Sequence, residues 1–134
     1  MTTEYAKPLP AKNAQNTPFW DSAKRRKLQL PRCARCGAFH YPPEKYCPRC
    51  LHDELVWTEI AGTAMVYSFI IVHQKYHPAF ETPYNVAVVE LAEGPRLLTN
   101  IVGCAHEDIR VGMAVRVTYE DIDDEFTLPK FEPA

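Results

Sequence analysis

Four cysteines in two tight pairs, Cys33-Ala34-Arg35-Cys36 and Cys47-Pro48-Arg49-Cys50, constrain this chain more than any other feature. A two-residue gap lets both thiolates of a pair point at one ion, and two such knuckles complete a tetrahedron around Zn²⁺. Gly37 directly follows the first pair, where the chain must turn back under the metal with positive φ. The ten residues between the pairs suit a short hairpin with a knuckle at each end, so the spacing predicts a zinc ribbon. Disulfides or redox-active Cys-x-x-Cys sites are the competing readings. A thioredoxin-like site uses one such motif at a strand–helix junction, and the N-terminus shows no secretory signal. Four sulfurs close the shell and leave no position for water. One structural Zn²⁺ per chain is therefore expected at Cys33, Cys36, Cys47 and Cys50. His40 and His52 flank the ribbon, but with four sulfurs available neither is expected to be a ligand.

A chain of 134 residues makes one ordinary domain, or a small metal-stapled module fused to a compact β-domain. No stretch approaches the apolar length needed to span a bilayer, and the N-terminus lacks an apolar core for secretion. The cytoplasm is the expected compartment, with no membrane partner. A net charge of −2 conceals an asymmetry. Residues 1–52 carry ten Lys/Arg against three Asp/Glu, and residues 53–134 carry five against fourteen. Four thiolates around Zn²⁺ would absorb part of the first half's basicity. The acidic second half argues against a nucleic-acid groove there.

Residues 1–16 are polar and aperiodic and read as a flexible arm. Asn16-Thr17-Pro18 starts a helix, with Asn or Thr as N-cap and Pro in the first turn, where its missing N–H costs nothing. Phe19, Trp20 and Ala23 form an apolar stripe, and Lys24-Arg25-Arg26-Lys27 sits where cations oppose the C-terminal end of the dipole. From Leu55 the period changes to two. Residues 55–60, 63–73, 85–92, 96–103, 114–120 and 126–128 read as strands, with a break at Ala61-Gly62 and a hairpin turn at Glu93-Gly94-Pro95. His106-Glu107-Asp108-Ile109 suggests one helical turn, and the acidic run 120–125 a hairpin loop. This succession suits a small closed barrel of the oligonucleotide/oligosaccharide-binding (OB) type, with an SH3-like barrel as the competitor that periodicity alone does not separate.

Cys104 stands alone after a strand. An activated thiolate needs a nearby base or a helix N-terminus, so the expected reading is a small semi-buried thiol. His73 and His77 have the spacing of two ligands on a helix, but their segment leaves a strand and meets Pro78, so a contact loop is expected instead.

The ordered set Phe19-Trp20-Asp21, Cys33-Ala34-Arg35-Cys36-Gly37, Tyr41-Pro42-Pro43, Cys47-Pro48-Arg49-Cys50, Val66-Tyr67-Ser68, Pro83-Tyr84 and Ile109-Arg110-Val111-Gly112-Met113 resembles the DUF35 family across residues 18–129. Two positions depart from that family. Lys27 and Leu51 stand where such proteins often have Gly, and neither touches a ligand. The resemblance implies a mainly β protein with an N-terminal helix (17–29), a rubredoxin-like zinc ribbon (30–53) and a C-terminal OB-fold barrel (54–134). It also implies an acyl-CoA context. The expected role is a non-catalytic accessory subunit in a hetero-oligomer, docked on a thiolase-superfamily enzyme (thiolase, acyltransferase or steroid-side-chain-type aldolase) and helping to form its acyl-CoA site.

In that context the Lys24, Arg25 and Arg26 cluster could hold the phosphates of CoA, with a solvated helix end as the alternative. Tyr67, Phe69, Phe80 and Tyr84 could stack on its adenine, with core or interface packing as the alternative. Phe19, Trp20, Phe39 and Tyr41 are more apolar surface than a short ribbon readily buries, which makes them candidate docking residues; packing onto the barrel is the intramolecular alternative. Two other functions remain open at this point: a nucleic-acid-binding ribbon–OB module, and a free-standing acyl-CoA-binding protein.

Overall fold

The computed structural model describes residues 9–134. Of the expected arm, positions 1–8 lie outside the described residues. Its remainder folds into an Asx turn, in which the Gln15 and Asn16 N–H groups donate to Asn13 Oδ1 at 2.9 and 2.8 Å. Helix α1 (Thr17–Lys24) follows with Pro18 in its first turn and Asn16 as N-cap. The Asn16 side chain does not cap the helix. It donates to the Ala11 carbonyl and accepts from Asn13 N–H instead.

Expected to reach residue 29, the helix ends at Lys24. Arg26 takes the left-handed conformation (φ 60°), its N–H donates to Ala23 O at 3.0 Å, and Lys27 N–H reaches Ser22 O at 3.1 Å. These two bonds are a Schellman termination, here with an arginine where glycine is usual. The early stop turns Leu28 and Leu30 inward, where both are fully buried. Two hydroxyls receive the freed backbone: Tyr119 Oη accepts from Leu28 N–H at 3.0 Å, and Ser22 Oγ from Gln29 N–H at 2.9 Å.

Strand β1 (Gln29–Cys33) then pairs antiparallel with β2 (Leu55–Glu59), Gln29 opposite Glu59 and Cys33 opposite Leu55. The strand expected from residue 55 therefore forms, but its partner is the ribbon and not the barrel sheet. Local periodicity reports that a segment is extended; it carries no information about which edge will pair with it.

The second sheet comprises β3 (Thr63–Val72), β4 (Tyr84–Leu91), β5 (Arg96–Thr99), β6 (Ala114–Asp121) and β7 (Thr127–Pro133), in the order β5-β4-β3-β6-β7. Gly62 opens β3 at φ 85°, and a Cβ there would meet Val117 Cγ1 at 2.7 Å. The break before the barrel thus needs glycine for both conformation and space. A register shift between Val66 and Ser68 bends β3, which pairs with β4 from Ala64 to Val72 and with β6 over Thr63 to Met65. The sheet curls until Ile101 bridges Phe131 in parallel, with Val102 N–H donating to Phe131 O at 2.8 Å. A meander closed this way, with a single 3₁₀ turn (His106–Asp108) between β5 and β6, is the OB arrangement.

One apolar core serves both sheets. Phe19, Ala23, Leu28 and Leu30 join Val66, Val89, Leu97, Ile101, Val115 and Phe131 in a single cluster. Helix α1 and the base of the ribbon plug one end of the barrel.

Candidate functional site

The cysteine centre is built by two backbone reversals of the same kind. In the first, β1 delivers Cys33, whose N–H donates to Ala38 O at 2.9 Å, and Gly37 turns the chain back at φ 77°. The second repeats the pattern: Cys47 N–H donates to His52 O at 2.9 Å, and Leu51 occupies the turn at φ 66°. Leu51 is 76 % exposed. The family departure at Leu51 thus falls on a strained backbone position.

All four sulfurs lie within 4.8 Å of one another, with Cys33 and Cys50 Sγ 3.5 Å apart and Cys36 and Cys47 Sγ 3.7 Å apart. A tetrahedron with metal–sulfur bonds of about 2.3 Å has edges of about 3.8 Å, so the donor set fits one metal ion. Backbone N–H groups of Arg35, Cys36 and Arg49 point at Cys33 and Cys47 sulfurs at 3.4 Å, the environment a thiolate requires. The Cys36 N–H is the main reason that Cys33 ionises at about 6. At Cys50 the His52 N–H favours the thiolate. Loss of solvent and the other three sulfurs outweigh it and push the thiol up to about 11. Four adjacent thiols cannot all ionise without a cation to take up the charge. Among the described residues, neither His40 nor His52 joins the cluster.

A second feature lies on the barrel, beside the β6–β7 hairpin that α1 also contacts. The loop from β3 to β4, the β6–β7 hairpin and the end of β5 enclose an open cleft of about 1210 Å³. His77 organises the loop: its Nδ1 accepts from Ala79 N–H at 3.0 Å and its carbonyl from Phe80 N–H at 3.1 Å. The Phe80 and Tyr84 rings stack at 5.6 Å and line the cleft. Two asparagines fix its floor. The Asn85 side chain donates to Ile101 O at 2.8 Å and accepts from Ile101 N–H at 2.7 Å, and Asn100 donates to Asn85 O.

The residues expected to bind CoA are not brought together. Phe80 and Tyr84 share the cleft, whereas Phe69 faces inward opposite Ala87 and packs on the core. Lys24, Arg25 and Arg26 do not line the cleft. The acidic hairpin engages two of them: Lys24 donates to Asp124 O, and Arg26 pairs with Asp121 at 2.8 Å. The Arg26 bond, with a second from Thr127 Oγ1 at 2.6 Å, holds the Asp121 carboxyl below its ordinary value of 3.8. Lys12 spans the same seam, 3.4 Å from Asp21 and 3.9 Å from Glu125.

The four aromatics expected to dock a partner largely pack within the chain. Phe19 is 2 % exposed and touches Trp20 at 5.0 Å and Tyr41 at 5.4 Å; Trp20 continues to Phe126 at 5.7 Å. This row ties the ribbon loop to α1 and the β6–β7 hairpin, and it leaves Phe19 no face to offer. Burial also pushes the Tyr41 hydroxyl pKa up. Phe39 lies under the Arg32 guanidinium at 5.0 Å. Cys104 is half-buried against the core.

One exposed apolar patch lies elsewhere, on the outer face of β3, β4 and β5. Ile70 pairs with Val86, and Ser68–Val88–Leu98 form the neighbouring cross-strand row. Ile70 is 61 % and Leu98 68 % exposed. Antiparallel sheets normally present polar residues on a solvent face. Sequence reasoning missed this patch, although its signal was present: Phe69-Ile70-Ile71-Val72 and Leu97-Leu98 do not alternate. Among the described residues, no helix is long and apolar enough to cross a membrane.

Family models match two segments: residues 20–56 match the rubredoxin-like zinc ribbon domain of ChsH2, and residues 57–120 its C-terminal OB-fold domain. A probable enoyl-CoA hydratase alpha subunit from Thermomonospora curvata is 47 % identical over 96 % of this chain. The chain spans only 40 % of that relative's length. A DUF35 domain-containing scaffold protein from Methanocaldococcus jannaschii is 34 % identical, over 70 % of this chain and 68 % of its own. Among solved structures, a chain described as Ltp2-ChsH2(DUF35) aldolase superposes with a TM-score of 0.87 and 46 % identity, over 93 % of this chain and 98 % of that one. With its cysteine-centred ribbon, closed OB barrel and these relatives, the chain belongs to the DUF35 family.

Proposed function

We propose that this chain is a non-catalytic accessory subunit that docks on a thiolase-superfamily enzyme and helps to form its acyl-CoA site. The observation that carries this reading is the near full-length similarity to the chain of the Ltp2-ChsH2(DUF35) aldolase, whose description names two components. Similarity to a hydratase alpha subunit supports a place in an acyl-CoA complex. Under this reading the partner supplies the nucleophile and the acid–base groups.

Cys33, Cys36, Cys47 and Cys50 would hold one Zn²⁺, which when bound supplies a cross-link and the charge that lets all four sulfurs ionise. Rubredoxin-like sulfur sites also accept iron, so metal analysis of the purified protein tests the identity: zinc and no colour are expected. Of the residues considered for CoA, Phe80 and Tyr84 keep the strongest case because both line the cleft. Arg25 is exposed and could still meet a phosphate.

Docking is better supported at Ile70 and Leu98 than at Phe19, because buried side chains cannot also anchor a partner, whereas an apolar sheet face marks an interaction surface. Trp20, Phe39 and Tyr41, all half-buried, would contribute to docking only through their exposed edges. The test is co-expression with an Ltp2-like enzyme. The wild-type chain should co-purify, and the double variant Ile70→Asp, Leu98→Asp should not, while its metal content and melting temperature stay unchanged. A wild-type chain that forms no complex ends the accessory-subunit reading; a double variant that still binds moves the interface off this face.

A further inference from the structure

Among the described residues, two that are not glycine hold a positive φ: Arg26 at 60° and Leu51 at 66°. That conformation is unfavourable for any side chain with a Cβ, and it persists where the surroundings compensate for it. For Arg26 the return is visible: its turn ends α1, and its guanidinium pairs with Asp121 at 2.8 Å. Leu51 has no such return. Its side chain is 76 % exposed, more than any other large apolar residue described. The turn itself does not require leucine, since Gly37 fills the equivalent position of the first knuckle at φ 77°.

The second knuckle also presents more apolar material than the first. Pro48 and Leu51 are exposed where the first knuckle has Ala34 and Gly37, and the exposed Tyr46 precedes them. The charges around this tip, Glu44, Lys45, Arg49 and Asp53, cancel formally, so apolar burial and not charge would carry an interaction here. The mount is rigid as well. Leu51 N–H donates to Cys47 O at 2.8 Å and Cys47 N–H to His52 O at 2.9 Å, and the four-sulfur centre ties both ends of the turn. A side chain held this way has little conformational freedom left to lose on binding. A metal-stapled turn can tolerate the strain, but that does not account for a leucine standing in water.

We infer that Leu51 is a docking anchor, which the second knuckle seats, flanked by Tyr46 and Pro48, in an apolar socket of the thiolase-superfamily enzyme. Naming that enzyme rests on the accessory-subunit reading; the strained, exposed leucine does not. The similar chain of the two-component aldolase is covered over 98 % of its length, so whatever docks there meets a unit like this one. Docking removes Leu51 from water, which is the return that the free chain lacks. This contact lies on the ribbon and adds to the one proposed on the outer face of β3 to β5.

The test uses the full metal-loaded chain and an Ltp2-like enzyme, with affinity, metal content and melting temperature measured for each variant. Leu51→Gly removes the strain and the side chain together. It should keep its metal, melt no lower than wild type and bind the enzyme roughly tenfold more weakly or worse. Leu51→Met keeps an apolar side chain of similar volume and should retain most of the affinity. The loss in Leu51→Gly should be the same at low and high salt, because burial carries it. Unchanged binding by Leu51→Gly overturns the inference, and so does a loss confined to low salt. Weaker binding that comes with lost metal or earlier melting makes the leucine structural and overturns it too, as does a Leu51→Met variant no better than Leu51→Gly. A wild-type chain that forms no complex removes the accessory-subunit reading and the anchor together; a wild-type complex indifferent to Leu51 removes the anchor alone.

Discussion

The ribbon and the barrel solve the same problem with different means. Between Cys33 and Glu54 the chain has little apolar material of its own: Cys36, Arg35, Arg49 and Leu51 are exposed, and Cys33 and Cys47 are its most buried side chains. Its shape depends on two short reversals and the ion they are built to surround. The barrel contains no such device and depends on alternation, with every second residue of β4 buried, and on closure by Phe131 over Ile101. A metal-centred unit places its stabilising free energy in four residues; a core spreads it over many. The first is therefore readable from spacing, and the second only from assembly.

This contrast can be broken most directly at the metal. Cys36→Ser, or removal of metal by a chelator, should collapse the ribbon, because binding energy at such sites is also folding energy, of order 10 kcal/mol in isolated zinc modules. Amide signals from 33–54 should lose dispersion while those of β3 to β7 keep theirs. Loss of the whole spectrum would show that the two halves fold as one unit through their shared core. The complementary change is Phe131→Ala, which empties a fully buried position and should cost about 3–5 kcal/mol in denaturant unfolding with metal content retained.

A finer comparison sets one knuckle against the other. Gly37 and Leu51 occupy equivalent left-handed turns, and only the leucine is strained there. Leu51→Gly should raise stability by up to about 1 kcal/mol, and Gly37→Ala should lower it by about 1 kcal/mol. Equal effects of one sign would mean that φ is not what distinguishes the knuckles.

The smallest effect concerns the seam between helix and hairpin. Asp121 has its pKa lowered below 3.8 by Arg26 and Thr127, so its contribution is present above that pH and is lost as pH falls through the depressed value. Asp121→Asn should flatten the acid limb of a stability-versus-pH curve below pH 4 and leave it unchanged at neutral pH apart from a constant offset. An acid limb identical to wild type would show that the pair contributes nothing measurable, as many exposed ion pairs do.

Much of the barrel was legible because its strands alternate locally. The positions of β3, β4 and β6 follow from period and turn chemistry, down to the Glu93-Gly94-Pro95 reversal, where Gly94 N–H donates to Leu91 O at 2.8 Å, whereas β5 stops at Thr99, short of the expected end at 103. β7 runs to Pro133, well past the short strand expected at 126–128, because its length is set by pairing with β6. The basic run 24–27 and the acidic run 120–125 were each visible, but not that they meet: nothing local couples Arg26 to a carboxylate 95 positions away. The cleft was hidden for the same reason. Phe80, Asn85, Ile122 and Leu128 acquire a common purpose only when the barrel closes.

By itself, then, the amino-acid order determined the cysteine centre, the succession of extended segments and the family, since spacing, period and ordered motifs are short-range properties of a chain. Tertiary structure alone decided that Leu55–Glu59 pairs with the ribbon, that Phe19 is core, that the outer face of β3 to β5 carries an exposed apolar patch, and that the cations at the helix end answer to an acidic hairpin. Each of these depends on which surfaces meet. That outcome is set by burying the largest apolar area while leaving no backbone group unpaired, a balance taken over the whole molecule.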